Sequence, residues 1–367
     1  MSLLKFKQSR AYRHLATLAD FFPVLFFFGG FAWDALTIGR HVAGFDLIIL
    51  AAYLAAAAGL LYSLGQPRFV PPNTWPLWLV KWHQRFLASH WHNLPYFMLQ
   101  FLFGSILSPL FILYFKSASH GWAWFMALLL GGLLVGNEYM ENKYRQFTIS
   151  WALFGFCAML LLNFALPFLL GSIHAAWFYL STLLGAGLAY GLYKKTAQHK
   201  GSIKPVWVVA LLLMLAYRFD VIPPVPLVKR DLAVAYDLSK IGGQYQLSQQ
   251  PSGWWVFWRK TSNDLKTTPG QRVYFFSSVF APGGLNTRLY HRWQHYDEKH
   301  GWQTQSRIGY SLAGGRENGF RGYTYKQGLQ AGDWRVSVET ENNKTVATQA
   351  FSVELVATPT TPIKMAY

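Results

Sequence analysis

Hydrophobic and polar positions follow two different rules along this chain, and the change falls at Ile222-Pro223-Pro224-Val225-Pro226. Upstream, apolar residues run over 16–38, 44–65, 94–115, 122–140, 147–170, 174–193 and 205–221, separated by short polar connections. Each run approaches or exceeds the roughly 20 residues a helix needs to cross about 30 Å of hydrocarbon. The runs are continuous, which excludes alternating barrel strands, and a helix then remains as the way to satisfy the backbone in lipid. The pattern predicts a bundle of seven transmembrane helices over 1–221. Downstream no run can cross a bilayer. Short aromatic and β-branched segments at 253–258, 272–276 and 288–293 are punctuated by turns. Residues 288–296 and 302–310 read as a hairpin closed by Asp297–Gly301, and 335–340 with 345–354 as another closed by Glu341–Lys344. These predict an all-β, antiparallel sandwich domain over 232–356, joined by a proline-rich connector at 222–231 and followed by a flexible tail at 357–367.

Charge orients this arrangement. The basic start, with Lys5, Lys7, Arg10 and Arg13, precedes an apolar run too long for a signal peptide, which reads as a retained first span. Alternate connections (1–14, 66–93, 141–146 and 194–204) hold 13 lysines and arginines, whereas the others hold only Arg40 and Lys116. The positive-inside rule then predicts a multi-pass protein of the cytoplasmic (inner) membrane, its N-terminus cytoplasmic and its C-terminal domain periplasmic or otherwise extracytoplasmic. The net charge of +17 divides as +10 for residues 1–227 and +7 for 228–367. The first share is explained by topology. The second suits anionic headgroups or acidic envelope polymers, and nucleic acid is not an expected partner. The single cysteine, Cys157, lies mid-span, so the β-domain is expected to fold without disulfides.

Candidate chemistry is sparse. Ala51, Ala55 and Gly59, Gly132 and Gly136, and Gly187 and Gly191 form small-residue faces suited to close helix packing. Trp75, Trp78, Trp82 and Phe86, with Lys81 and Arg85 between them, suit a helix lying at the headgroups. His83, His90 and His92 accompany them without a metal-ligand pattern. Ionisable residues near the outer helix ends form a candidate polar cluster of Asp34, Arg40, Lys116, Ser119, His120, Arg218 and Asp220, with His174 close by. Asn137 and Glu138 stand one turn from Glu141 and Arg145 at an inner end. In the β-domain, His291, Trp293 and His295 alternate onto one strand face. With Arg292, Trp302 and Arg307 they make a candidate binding face. No metal or other cofactor is expected. H-E-x-x-H, G-x-S-x-G, a phosphate-cradling lysine loop and paired-cysteine zinc motifs are all missing, and Gly314-Gly315-Arg316 precedes a strand instead of a helix.

Val279-Phe280-Ala281-Pro282, Tyr290-His291-Arg292-Trp293, Phe320-Arg321-Gly322-Tyr323-Thr324 and Gly332-Asp333-Trp334-Arg335-Val336 resemble the bacterial family called domain of unknown function 2914. The spans resemble those of its longer members through Gly30-Phe31-Ala32-Trp33-Asp34-Ala35-Leu36-Thr37, Phe115-Lys116-Ser117-Ala118-Ser119, Asn137-Glu138 and Pro223-Pro224-Val225-Pro226. That resemblance implies a bacterial envelope location and no activity. The leading expectation is a non-enzymatic membrane protein, in contact with lipids, whose β-domain binds an envelope protein or glycan. The alternative is a membrane-embedded enzyme or carrier for a lipid-linked or anionic substrate, using Asp34, Lys116, His120 and Asp220.

Overall fold

The computed structural model describes residues 44–66, 76, 94–117, 123–137, 144–253, 256, 261–281, 287–312, 320–358 and 361–367. Among them are six helices: α1 (Gly44–Leu64), α2 (Leu94–Ser117), α3 (Ala123–Asn137), α4 (Thr148–Leu170), α5 (Ala175–Lys195) and α6 (Lys204–Arg218). Four of these, α1, α2, α4 and α5, are long and apolar enough to cross a membrane. The expectation of seven spans is corrected accordingly. The run at 16–38 lies outside the described residues, and α3 and α6 have 15 residues each, about 22 Å of helix against about 30 Å of hydrocarbon.

Local chemistry shows why α6 is shorter than its apolar run. Its first turn holds Pro205, whose missing N–H needs no partner there, and the Ser202 hydroxyl accepts the Lys204 N–H at 3.3 Å. At the other end the Asp220 N–H reaches Tyr217 O and the Val221 N–H reaches Ala216 O. Asp220 itself takes φ +61°. These are the bonds of a Schellman stop, with aspartate at the left-handed position where glycine is commoner. Apolar composition continues through Val221; the helix does not.

The chain divides into two compact units. In the first (1–112, 130–158 and 188–206), three connections meet. Lys200 Nζ donates to Leu64 O at 3.1 Å, Trp151 Nε1 donates to Lys200 O at 3.0 Å, and the Ser202 N–H donates to Thr148 Oγ1 at 2.9 Å. Buried Asn137 donates to Gln100 O at 3.1 Å and accepts from Tyr144. Among the described residues, two close helix approaches use glycines outside the predicted small-residue faces. Gly59, Gly132, Gly187 and Gly191 have open space, whereas a Cβ on Gly185 would lie 2.6 Å from the Met159 backbone and one on Gly155 2.8 Å from Val206. Four-residue spacing identifies a smooth face, but which face meets a neighbour depends on how the helices are rotated.

The second unit (113–129, 159–187 and 207–367) contains the β-domain. Its strands are β1 (Val228–Ala235), β2 (Asp237–Ile241), β3 (Gln244–Gln249), β4 (Asp264–Thr267), β5 (Arg272–Phe280), β6 (Thr287–Asp297), β7 (Gly301–Leu312), β8 (Phe320–Gln327), β9 (Gly332–Thr340), β10 (Thr345–Leu355) and β11 (Ile363–Ala366). They form three sheets, ordered β1-β5-β8, β4-β10-β9-β6-β7 and β11-β3-β2. Both predicted hairpins are present, β6–β7 and β9–β10. The sandwich is not wholly antiparallel, because β4 runs parallel to β10 from Asp264↔Ser352 to Thr267↔Leu355. A parallel neighbour needs a long crossover, and here all of β5–β9 intervenes in sequence, so nothing local signals the pairing. The tail is also corrected. Residues 363–366 pair with β3, and the Tyr367 hydroxyl donates to Gln249 Oε1 at 2.8 Å.

Alternation decides what each sheet face meets. Val273, Phe275 and Val279 of β5 join Leu289, Trp293, Trp334, Val336, Val338 and Phe351 in the main core, whereas Phe276 packs the other way with Ala233, Ala235 and Leu247. The central sheet is therefore covered on both faces. Ile173, from the α4–α5 connection, and Leu227, after the buried prolines, complete the main core.

A Cβ on Gly322 would lie 2.4 Å from the Tyr310 ring, which is wedged against His291 and held by its hydroxyl. Gly322→Ala should lower stability by about 1–3 kcal/mol in thermal unfolding of the purified full-length protein. Gly309→Ala should do less, because the Tyr290 ring 2.8 Å from its Cβ lies on the outer face and can swing away.

Candidate binding face of the β-domain

The six residues predicted to form one binding face divide between the two sides of a sheet. His291 and Trp293 point into the core and are fully buried. His291 Nε2 lies 2.8 Å from Ser277 Oγ and its Nδ1 lies 3.0 Å from Thr324 Oγ1, which also accepts the Trp293 indole N–H at 3.0 Å. Ser277 Oγ lies 2.8 Å from the Tyr310 hydroxyl. Every polar atom that His291 brings inside thus has a partner, as burial requires. A serine beside an imidazole has the makings of a nucleophile and base. Here neither group is reached by solvent, and the network serves the core. His295, on the same side, rests its ring 4.8 Å from that of Trp334 and bonds Ala331 O at 3.2 Å. Among the described residues, no three His, Cys, Asp or Glu side chains gather as a metal would need.

Arg292, Arg307 and Trp302 lie on the opposite side, where they meet residues the strand pattern alone did not single out. The register places Arg292 opposite Arg307, and Ser337 opposite Arg292. Glu339, one pleat along β9, reaches both arginines: Arg292 Nη2 is 2.6 Å from Oε1 and Arg307 Nε is 3.6 Å from Oε2. The Glu339 side chain is 1% exposed, the two arginines 33% and 32%. Burial pushes the Glu339 carboxyl above its ordinary range, while the two guanidiniums pull it down. The arginines in turn lie over rings. Arg307 sits 3.7 Å from the centroid of Tyr290, and Arg335 sits 4.3 Å from that of Trp302 while donating to Gln294 Oε1 at 2.8 Å. Burial and the like charge of Arg292 lower the Arg335 pKa.

The face therefore holds three arginines against one buried carboxylate. Stacking fixes the guanidinium planes of Arg307 and Arg335, and guanidinium groups are suited to planar oxyanions such as carboxylates. The residues missed in sequence were Glu339 and Arg335, far from β6 along the chain and brought beside it by the β6–β9 pairing. A second aromatic cluster, Tyr274, Tyr323 and Tyr325 of the central sheet with Tyr245 of β3, has rings tilted at 44–63° and offers no flat platform.

Of the polar cluster predicted at the outer helix ends, Asp34, Arg40, Ser119 and His120 lie outside the described residues, and Lys116 falls in the last turn of α2. Arg218 and Asp220 are brought to the β9–β10 hairpin. Lys344 Nζ donates to Tyr217 O, and to Arg218 O at 3.2 Å, and the Thr345 N–H lies 3.4 Å from Asp220 Oδ1.

Residues 286–353, which span β6 to β10 and thus the whole arginine face, match the model of a family described as protein of unknown function (DUF2914). The C-terminal region carries a DUF2914 domain. No curated protein matches the sequence. Among solved structures, a β-glucosidase from Kluyveromyces marxianus is similar at 14% identity, over 28% of this chain and 14% of that one, with a TM-score of 0.20. The alkylpurine DNA glycosylase AlkC of Pseudomonas fluorescens is similar at 11% identity, over 86% of this chain and 100% of that one, with a TM-score of 0.19. This chain spans about one seventh of the β-glucosidase's length. At such scores neither likeness bears on the DUF2914 domain's fold or activity.

The buried imidazole makes the DUF2914 domain sensitive to acid. Burial lowers the His291 pKa from the ordinary 6.5 to about 3. Below pH 6.5 the unfolded chain then binds a proton that the folded one refuses. The contribution of His291 is whole above pH 6.5 and falls by about 1.4 kcal/mol per pH unit as the pH drops from 6.5 toward 3. In denaturant titrations over that window, His291→Asn should show a slope with pH shallower by about one proton.

Proposed function

We propose that the protein is a membrane-anchored binding module whose DUF2914 domain holds an acidic envelope glycan on the outer face of its five-stranded sheet. One observation carries the reading: Arg307 and Arg335 are held over the Tyr290 and Trp302 rings, beside Arg292, and Arg292 and Arg307 share Glu339 as a buried counter-charge. Aromatic rings give sugar rings an apolar surface, and arginine forks pair with carboxylates in two-point contacts. A buried carboxylate that burial itself disfavours is weak evidence for stability and is better explained by the arginines it positions. The concentration of lysine and arginine in alternate connections supports an extracytoplasmic DUF2914 domain, where such polymers lie.

The full-length protein in detergent should bind polygalacturonate and not neutral dextran, and affinity should fall as salt rises. Arg307→Ala and Arg335→Ala should each weaken binding about tenfold, the effect of a charged hydrogen bond of about 1.5 kcal/mol. Equal binding of dextran, or indifference to both substitutions, sinks the reading. Its orientation is checked separately by a reporter fused after Tyr367 through a flexible linker. Activity in the periplasm is expected, and activity only in the cytoplasm overturns it.

A further inference from the structure

We propose that occupancy of the arginine face is coupled, through the turn at Thr340, to the C-terminal end of α6, so that the domain transmits anion binding to that helix. This rests on the binding reading above and adds a regulatory output to the same site.

The path is a continuous series of hydrogen bonds within one compact unit. Arg307, which faces the ligand, also donates Nη2 to Thr340 O at 3.1 Å. Thr340 organises the β9–β10 turn. Its carbonyl accepts the Asn343 N–H at 3.1 Å, its hydroxyl accepts the Lys344 N–H at 3.2 Å, and its own N–H bonds Lys344 O at 2.9 Å. Asn343 takes φ +58°, which bends the chain so that Lys344 leaves the turn toward α6. The Lys344 ammonium lies 4.7 Å from the centroid of the Tyr217 ring and donates to the Tyr217 and Arg218 carbonyls.

Those carbonyls belong to the last turn of a helix, which has no intrahelical donors for them and carries the negative end of the macrodipole. The Schellman bonds occupy Ala216 O and Tyr217 O. Arg218 O is satisfied by Lys344, which comes from the β-domain. The end of α6 therefore depends on where the turn holds Lys344, and the turn depends on a carbonyl that Arg307 shares. A carboxylate ligand competes for the Arg307 donors. When a carboxylate takes the Arg307 Nη2 donor, Thr340 O loses one of its two donors, the turn loosens and Lys344 no longer caps α6. Coupling of this kind is reciprocal in binding free energy, so weakening the clamp should favour the anion.

The test is hydrogen exchange of the full-length protein in detergent, read at the amides of Phe219–Ile222 and Asn343–Thr345, with and without polygalacturonate. Polygalacturonate should speed exchange at both segments roughly fivefold, as loss of one hydrogen bond would. Arg307→Ala should do the same without ligand. If that variant does not fold, Arg307→Lys, which keeps the charge beside Glu339 and loses the Nη2 donor, replaces it. Lys344→Met should speed exchange at Phe219–Ile222 and raise polygalacturonate affinity severalfold. If polygalacturonate binds while Phe219–Ile222 exchange is unchanged, the coupling fails and the binding reading stands. If polygalacturonate does not bind, the binding reading fails, and the Arg307 variants alone decide the coupling: unchanged exchange at Phe219–Ile222 overturns it.

Discussion

A carboxylate withdrawn into a sheet face has to be met by positive charge, and much of the outer surface of the β-domain follows from how Glu339 is met. With 1% of its side chain exposed, Glu339 has lost its water and gained Arg292 and Arg307. An isolated buried charge is untenable, whereas a paired one is tolerable when the geometry is good. The two arginines are thereby drawn inward over the sheet, and Arg307 comes to rest on Tyr290. Tyr290 in turn lies flat only because Gly309 has no Cβ to hold it off. Arg335 repeats the arrangement with Trp302 and Gln294. The result is a surplus of positive charge presented at fixed angles, which a set of freely moving surface lysines would not give.

The same strand that builds this face also builds the core. On β6, Tyr290 and Arg292 point out while His291 and Trp293 point in, and each inward polar atom is matched by a hydroxyl from the facing sheet. Ser277 and Thr324 do for His291 what water would do outside, and the glycine at 322 leaves room for the Tyr310 ring that completes the network. Fully satisfied polar groups of this kind restrict how two sheets can register, since a slip would strand several of them together.

In the helical part, polar contacts also do specific positioning. Ser181 donates to Asn163 across α5 and α4, and Asn137 ties α3 to α2. The connections 64–66, 144–148 and 196–202 gather in one compact unit, while Ile173, the end of α6 and the β-domain gather in the other. The buried prolines after α6, together with Lys344, leave the β-domain closely tied to that helix's end.

The amino-acid pattern by itself determined the division into an apolar helical part and a β-rich part, the two hairpins, and the residue types able to make a basic aromatic face. These are local matters of periodicity, turn chemistry and composition. It did not determine that α6 stops at Arg218, because hydropathy counts apolar residues whether or not the backbone still turns as a helix. Nor did it reveal the parallel β4–β10 pair or the ordered β11, which join segments with no local signal for each other. The alternation of His291, Arg292 and Trp293 was legible, but not which side would be buried, since both sides of β6 carry aromatic and polar groups. Only the tertiary structure decided that, by placing Ser277 and Thr324 opposite one side and Glu339 beside the other. A buried polar group goes where its partners are, and those partners lie tens of residues away along the chain.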